Sequence, residues 1–300
     1  AVWATEAFQP SLDDFEAFLP GFFENVDRPL DEPLPGPVDP FSYGAAIFFQ
    51  FLTEAYGETV VPALWQSLID GAGGVDDPQW MTALDGVLEA EAGVSFAEAF
   101  TEFARWNLYT EDFADPDSSY ERGADYPRVK IEAENVPFED DSARIYHASA
   151  IYTAVTPAGR DAITAAIVAP GGDASEAEGV ALVLAVESGG TLETLIPADP
   201  GAGTETVAVV PTSRVIAVMV NTVPSGDAKK PGLCIGSVDE VAACKASIEG
   251  GGSGGGSATT GATTGAATTG AGATSSASTG SGAGGGDEIA DGEGDDGCGC

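Results

Sequence analysis

The chain has 300 residues, enough for one large or two ordinary domains around a sizeable core. Its formal charge is −37, from 11 Lys and Arg against 48 Asp and Glu. That balance repels phosphate backbones and anionic lipid, and so excludes charge-driven binding to nucleic acid or to a membrane surface. The sequence opens AVWATEAF without a Met, which reads as a fragment or processed product and as the end of a helix begun upstream. SLDDFEAFLPGFFENV predicts a short helix, with Ser11 as cap and Asp13 and Asp14 at its positive end. Leu12, Phe15, Phe18 and Leu19 share its apolar face. Seven prolines between Pro10 and Pro40 make the rest of this region an extended connection.

PFSYGAAIFFQFLTEAYG, residues 40–57, predicts the central core helix of the first third of the chain. Tyr43, Ile47, Phe51 and Ala55, with Phe48, Leu52 and Tyr56, make one broad apolar stripe. Pro40 and Ser42 mark its start and Gly57 its stop. In ETVVPALWQSLIDG, Val60, Leu64 and Leu68 share a face, with Val61, Trp65 and Ile69 beside them. DDPQWMTALDGVLEAEAG takes Asp77 as cap and Pro78 in its first turn, with Trp80, Leu84, Val87 and Leu88 inward. SFAEAFTEFARWNLYTEDF opens on a capping box, Ser95 and Glu98, and sets Phe96, Phe100, Phe103 and Trp106 at core spacing. These elements predict a helical lobe over residues 1–116, which holds 22 acidic and 2 basic residues.

From Tyr126 the period changes. RVKIEAENV, ARIYHASAIYTAV, DAITAAIVA, GVALVLAVE, TLETLIPA, TETVAVVP and RVIAVMVNTV are seven short runs separated by Gly, Pro, Asp and Ser clusters. In the second, Ile145, His147, Ser149, Ile151 and Thr153 alternate with Tyr146, Ala148, Ala150 and Tyr152. The expectation is an antiparallel β-sandwich over residues 117–249, and an α+β fold for the whole. The Cys-Trp-Cys pattern of immunoglobulin domains is absent. Residues 250–286 contain only Gly, Ser, Ala and Thr, a composition that predicts a disordered linker, spanning about 33 Å as a flexible coil. Residues 287–300 add six acids and end in Cys298 and Cys300.

A peptidase zinc takes three protein ligands, commonly two His one helical turn apart and a downstream Glu. This chain has one His, His147, and no HExxH, so no zinc or other cofactor is expected on the chain itself. His147 reads as a structural residue. There is no GxSxG, and GAGG at 71–74 lacks the Gly-Lys-Ser/Thr of a phosphate loop. The pairs Asp13–Asp14, Asp76–Asp77 and Asp140–Asp141 are oxygen donors of the kind calcium takes, but without EF-hand spacing they read as solvated. Cys234 and Cys244 bracket IGSVDEVAA. A bridge there would close a loop of about ten residues, contribute roughly 2.5–3 kcal/mol, and imply an oxidising, extracytoplasmic setting. Cys298 and Cys300, at the tip of the tail, read as a processing or anchoring point, with pairing to another copy as the alternative.

SYGAAIFFQFLTEAYGETVVPALWQSL resembles the helix pair that follows the zinc site in gluzincin-clan metallopeptidases. SFAEAFTEFARWNLYT, followed by a β-sandwich that ends in RVIAVMVNT, resembles a metalloprotease family of myxobacteria. The Gly/Ser/Thr linker, the acids and CGC resemble the front of the myxobacterial C-terminal sorting tag, in which a hydrophobic helix and a basic cluster follow the Cys motif. The resemblance implies the C-terminal portion of a secreted or surface-displayed zinc metallopeptidase, with zinc in the full-length protein and a peptide or protein as substrate. It also implies surface attachment through the tail and an extracellular or outer cell-surface location. The HExxH is expected upstream of Ala1, and the chain alone is expected to be inactive. Trp3-Ala4-Thr5-Glu6 matches the W-x-x-E of the third zinc ligand, which makes Glu6 the candidate ligand, although AVWATE also aligns with the flank just after that ligand. Tyr43 is the candidate for the oxyanion-stabilising Tyr, which the aminopeptidase branch places in Tyr-x-x-Gly, whereas here Gly44 follows directly. The competing reading is a non-catalytic surface protein whose sandwich binds a protein or glycan.

Overall fold

The computed structural model describes residues 2–9, 15–32, 39–69, 79–195 and 204–250. Ser11, Leu12, the Asp13–Asp14 and Asp76–Asp77 pairs, Pro78, GAGG, the 250–286 linker beyond Gly250, Cys298 and Cys300 all lie outside the described residues. Ala1–Gly254 forms one compact unit.

The N-terminal third is helical, as its periodicity predicts. After α1 (Val2–Phe8), a 3-10 turn at Glu16–Phe18 runs into α2 (Leu19–Phe23). The 40–57 stretch forms two helices rather than one, α3 (Pro40–Gly44) and α4 (Ala46–Tyr56), with a break at Ala45. The cap is Asp39 and not Ser42: its carboxylate accepts from the Ser42 N–H at 3.1 Å. Gly57 ends α4 at φ 101°, the backbone that glycine adopts without strain. Gly44 is needed where α3 crosses α2, because a Cβ there would lie 2.7 Å from both the Phe18 carbonyl and Phe22 Cβ.

The apolar stripe of α4 faces inward through Ile47, Phe48, Phe51 and Leu52. Phe48 is fully buried, and its ring meets those of Phe49, Phe51, Trp80, Phe96, Phe100 and Phe103 at centroid distances of 5.0 to 6.4 Å. Next come α5 (Val60–Ser67), α6 (Trp80–Glu91) and α7 (Phe96–Trp106). The Ser95–Glu98 capping box of α7 forms as expected. In α5, Val60, Val61 and Leu64 are buried, but Trp65 and, beyond the helix end, Ile69 are exposed by 48% and 73%. An eight-residue helix has one inward stripe, and that stripe is filled before Trp65 is reached.

The remainder forms two sheets. The five-stranded sheet has the order β1 (Glu132–Glu134), β3 (Ser149–Val155), β8 (Arg214–Asn221), β5 (Val180–Ser188), β6 (Thr191–Leu195). The four-stranded sheet has the order β2 (Phe138–Asp140), β9 (Gly232–Gly236), β4 (Ala162–Val168), β7 (Thr204–Ala208). Pairing is antiparallel throughout except that β1 lies parallel to β3. Each of the seven predicted runs contains a strand, and β2 and β9 are additional. His147 is not on a strand: Ala148 takes φ 43°, which breaks the alternation between the Ile145–Lys229 bridge and β3.

The strands show why they read as continuous apolar runs. In β8, Val215, Ala217 and Met219 face the second sheet, while Ile216, Val218 and Val220 join the core under the helices. In β5, Leu182 and Leu184 take the first side and Ala181, Val183 and Ala185 the second. The central strands β3, β8 and β5 are thus buried on both faces, a pattern commoner in sheets covered by helices than in free sandwiches. Tyr152 ties the layers together, its buried hydroxyl donating to the Ala104 carbonyl of α7 at 2.9 Å.

The outer face of the four-stranded sheet is covered by α8 (Val238–Glu249), a helix absent from the sequence reading although Ser237 and Glu240 spell its capping box. Cys234 on β9 and Cys244 on α8 form the expected disulfide, within a small core with Ala166, Val168, Val241 and Ile248. Glu240 also accepts two bonds from Arg160, at 2.6 and 2.9 Å. The Arg160 side chain, with the Ser237 backbone N–H, holds the Glu240 carboxyl down from 4.5 to about 2. A depressed carboxyl stabilises the fold above its unfolded value, and the stabilisation is lost as pH falls through the folded one. Stability is therefore expected to drop between pH 4.5 and 2, with this pair contributing up to about 1 kcal/mol after solvent screening. Urea midpoints measured across that window should fall less steeply in Glu240→Gln; an unchanged slope would remove Glu240 as the cause.

Candidate functional site

The helical layer carries an open apolar groove of about 410 Å³, within the range of pockets that hold small ligands and peptide side chains. Its described walls come from α1, α3, α4, α5 and α6 and from Leu30 and Asp31 after α2. Trp3 of α1 meets Trp65 of α5 edge to face at 6.4 Å. Phe49 of α4 and Trp80 of α6, 5.5 Å apart, lie on the other side, and Leu64 and Leu68 complete it. Trp3, Phe49, Leu68 and Trp80 are all half-buried, packed against the core with one side open. Ile69, next to Leu68 in sequence, is exposed, and Phe8, 89% exposed, ends α1. This is the aromatic concentration expected of a surface that meets another chain.

Among the described lining residues, Asp31 is the one ionisable group of the groove. Its Oδ1 lies 2.7 Å from His147 Nε2, and its Oδ2 accepts from Gln79 Nε2 at 3.1 Å. Gln79 does three jobs: that bond, a second to the Pro224 carbonyl at 3.1 Å, and the cap of α6, where its Oε1 accepts from the Thr82 N–H at 2.9 Å. His147 Nδ1 lies 3.0 Å from the Gly226 carbonyl, so both ring nitrogens face oxygen acceptors, Nε2 pairing with the Asp31 carboxylate. The cluster joins the segment after α2, the start of α6 and the loop between β8 and β9. Nothing in the sequence linked these residues, since Asp31 and His147 are 116 positions apart.

A second, polar hollow of about 650 Å³ lies among Glu16, Glu54, Glu58, Glu121 and Arg122. Burial pushes the Glu54 carboxyl up, against hydrogen bonds that lower it. Both of its oxygens brace structure, Oε1 accepting from Gln50 at 2.7 Å and Oε2 from the Glu121 N–H at 3.0 Å.

The candidate residues that the structure describes lie on separate elements. Glu6 lies on α1 and Tyr43 on α3, where its ring tilts against Phe18 at 4.9 Å rather than lining the apolar groove. Among the described residues no group of three or more His, Cys, Asp and Glu is placed to hold a metal. His147 has both ring nitrogens engaged, and Cys234 and Cys244 are oxidised. The donor set of the described residues therefore does not fit a peptidase zinc. Among them, no helix is long and apolar enough to cross a membrane.

No family model and no curated protein matches the chain. Among solved structures, the crystal structure of Aeromonas hydrophila PliG, a periplasmic lysozyme inhibitor of g-type lysozyme, aligns at 15% identity over 36% of this chain and 96% of that one. The TM-score is 0.24. At that score the likeness carries no argument about fold or function.

Proposed function

We propose that the chain is the C-terminal part of a secreted or surface-displayed protein of the metallopeptidase type, whose helical layer is one wall of a polypeptide-binding cleft. The observation that carries this reading is the open, aromatic-rich groove among α1, α3, α4, α5 and α6, in which Ser42 and Asp31 are the polar side chains among the described lining residues. The resemblance of residues 42–68 to the helix pair after a gluzincin zinc site supports it, since the groove is built on those same helices. In this reading the zinc and its ligands belong to sequence on the N-terminal side of Ala1, and these residues grip the substrate. The Cys234–Cys244 bridge supports an extracytoplasmic setting, and Cys298 and Cys300 are proposed as the processing or anchoring point.

Intrinsic fluorescence tests the groove. Of the four Trp residues, Trp3, Trp65 and Trp80 line it. Titration of the full chain with a reduced, unfolded polypeptide should shift and saturate the Trp emission, and Trp65→Ala should weaken the response. An emission spectrum that no polypeptide alters would overturn the reading. The peptidase part is tested separately by the reading frame before Ala1. An HExxH there supports it; a frame without one leaves the second reading, a non-catalytic surface-binding protein, which the unsuitable donor set favours.

A further inference from the structure

We infer that the occupant of the groove is a polypeptide segment both apolar and basic: an aromatic or branched aliphatic side chain seated beside Trp65, with a Lys or Arg a few residues away reaching Asp31. This rests on the polypeptide-binding reading above and adds the chemistry of the ligand.

Two observations select it. The first is the shape and surface of the groove. Trp3, Phe49, Trp65 and Trp80 supply its aromatic lining, Leu64 and Leu68 its aliphatic part, and Ser42 and Asp31 are the polar side chains among the described lining residues. Such walls take an apolar side chain by area and a cation by its attraction to the ring face. The second observation is charge. Arg28 is the only basic residue before Arg105, so it is the only one in all the elements that build the groove. It is already committed, with Nε 2.8 Å from Glu32 and the guanidinium 4.4 Å over the Phe41 ring. Asp31 lines the groove with one oxygen towards His147 and one towards Gln79. Each carboxylate oxygen has a further acceptor site, so a second donor can add without breaking either bond.

The acidic surroundings discriminate among occupants. An anionic peptide meets the field of a chain of net charge −37 with no free cation in the groove-forming elements to receive it. A second copy of this chain brings the same charge and is repelled at low ionic strength. A basic, apolar segment gains from both the walls and the field. In the setting of a substrate cleft this makes Lys- or Arg-containing apolar stretches the preferred sequences.

Three synthetic decapeptides on the full chain test the inference. They share alternating Phe and Leu, with the intervening positions Lys, Gln or Glu, and Trp emission is read in low salt. The Lys peptide is expected to bind at least about tenfold more tightly than the Gln peptide and the Glu peptide more weakly still, with the gap closing at about 0.5 M salt. Trp65→Ala should weaken the Lys peptide by about tenfold and Trp65→Phe should restore much of it. Asp31→Asn should shrink the Lys-over-Gln preference. Trp65 is half exposed, so its variants test the idea even if Asp31→Asn fails to fold. Equal binding of the Lys and Gln peptides overturns the charge inference and leaves the groove reading standing. A Lys preference untouched by Trp65→Ala places binding elsewhere on the acidic surface and overturns the inference. If none of the three peptides binds, the groove reading falls with it. Sedimentation that shows a dimer released by peptide makes a second copy the occupant and overturns the proposal.

Discussion

Phe48→Ala is expected to cost about 3–5 kcal/mol, the range for removing a buried aromatic ring from a packed core. Phe48 is fully buried at the point where α4, α6 and α7 converge, and six aromatic rings pack around it. The neighbours cannot close the gap by rotating, because Phe96, Phe100 and Phe103 are themselves wedged between α4 and the five-stranded sheet. A loss of that size is comparable to the lower end of the net stability of a domain. Urea unfolding should therefore show a midpoint shifted far down, or a protein already unfolded in water. Phe48→Leu, which keeps much of the volume, should recover most of the loss. A Phe48→Ala protein within about 1 kcal/mol of the parent would mean that the aromatic cluster is not the core of this layer.

Removal of the Cys234–Cys244 bridge is the second large effect. The bridge spans ten positions, and closing a loop of that size constrains the unfolded chain by roughly 2.5–3 kcal/mol. It also holds α8 on the outer face of the four-stranded sheet, where Val241, Cys244 and Ile248 are the buried residues of the helix. Paired Cys234→Ser and Cys244→Ser substitutions should lower stability by about that amount. Hydrogen exchange of α8 amides should rise before that of β8, because β8 is buried between two layers and α8 covers only one face. Equal protection of the two would show that the helix docks without the bridge.

How much was legible follows from where each signal resides. The capping box at Ser95–Glu98, the stripe of α4 and the inward aromatics of α7 are local patterns, and they form as read. Trp65 and Ile69 are the instructive failures. Their spacing is that of a core stripe, yet the core of α5 is filled by Val60, Val61 and Leu64, which leaves Trp65 to line the groove and Ile69 exposed. The same period serves a buried face and an exposed one, and nothing local tells them apart. α8 could have been found, since Ser237 and Glu240 carry the same signature as Ser95 and Glu98.

The sequence by itself determined the α+β order, the positions of most helices and seven of the strands, and the Cys234–Cys244 pairing, because these depend on periodicity, caps and short separations. Only the tertiary structure decided that the helices cover one face of the five-stranded sheet, that β1 runs parallel to β3, and that Asp31, Gln79 and His147 meet beside Trp80. Those outcomes depend on contacts between residues far apart in the chain, where competition for buried area decides which apolar face is covered and which is left open.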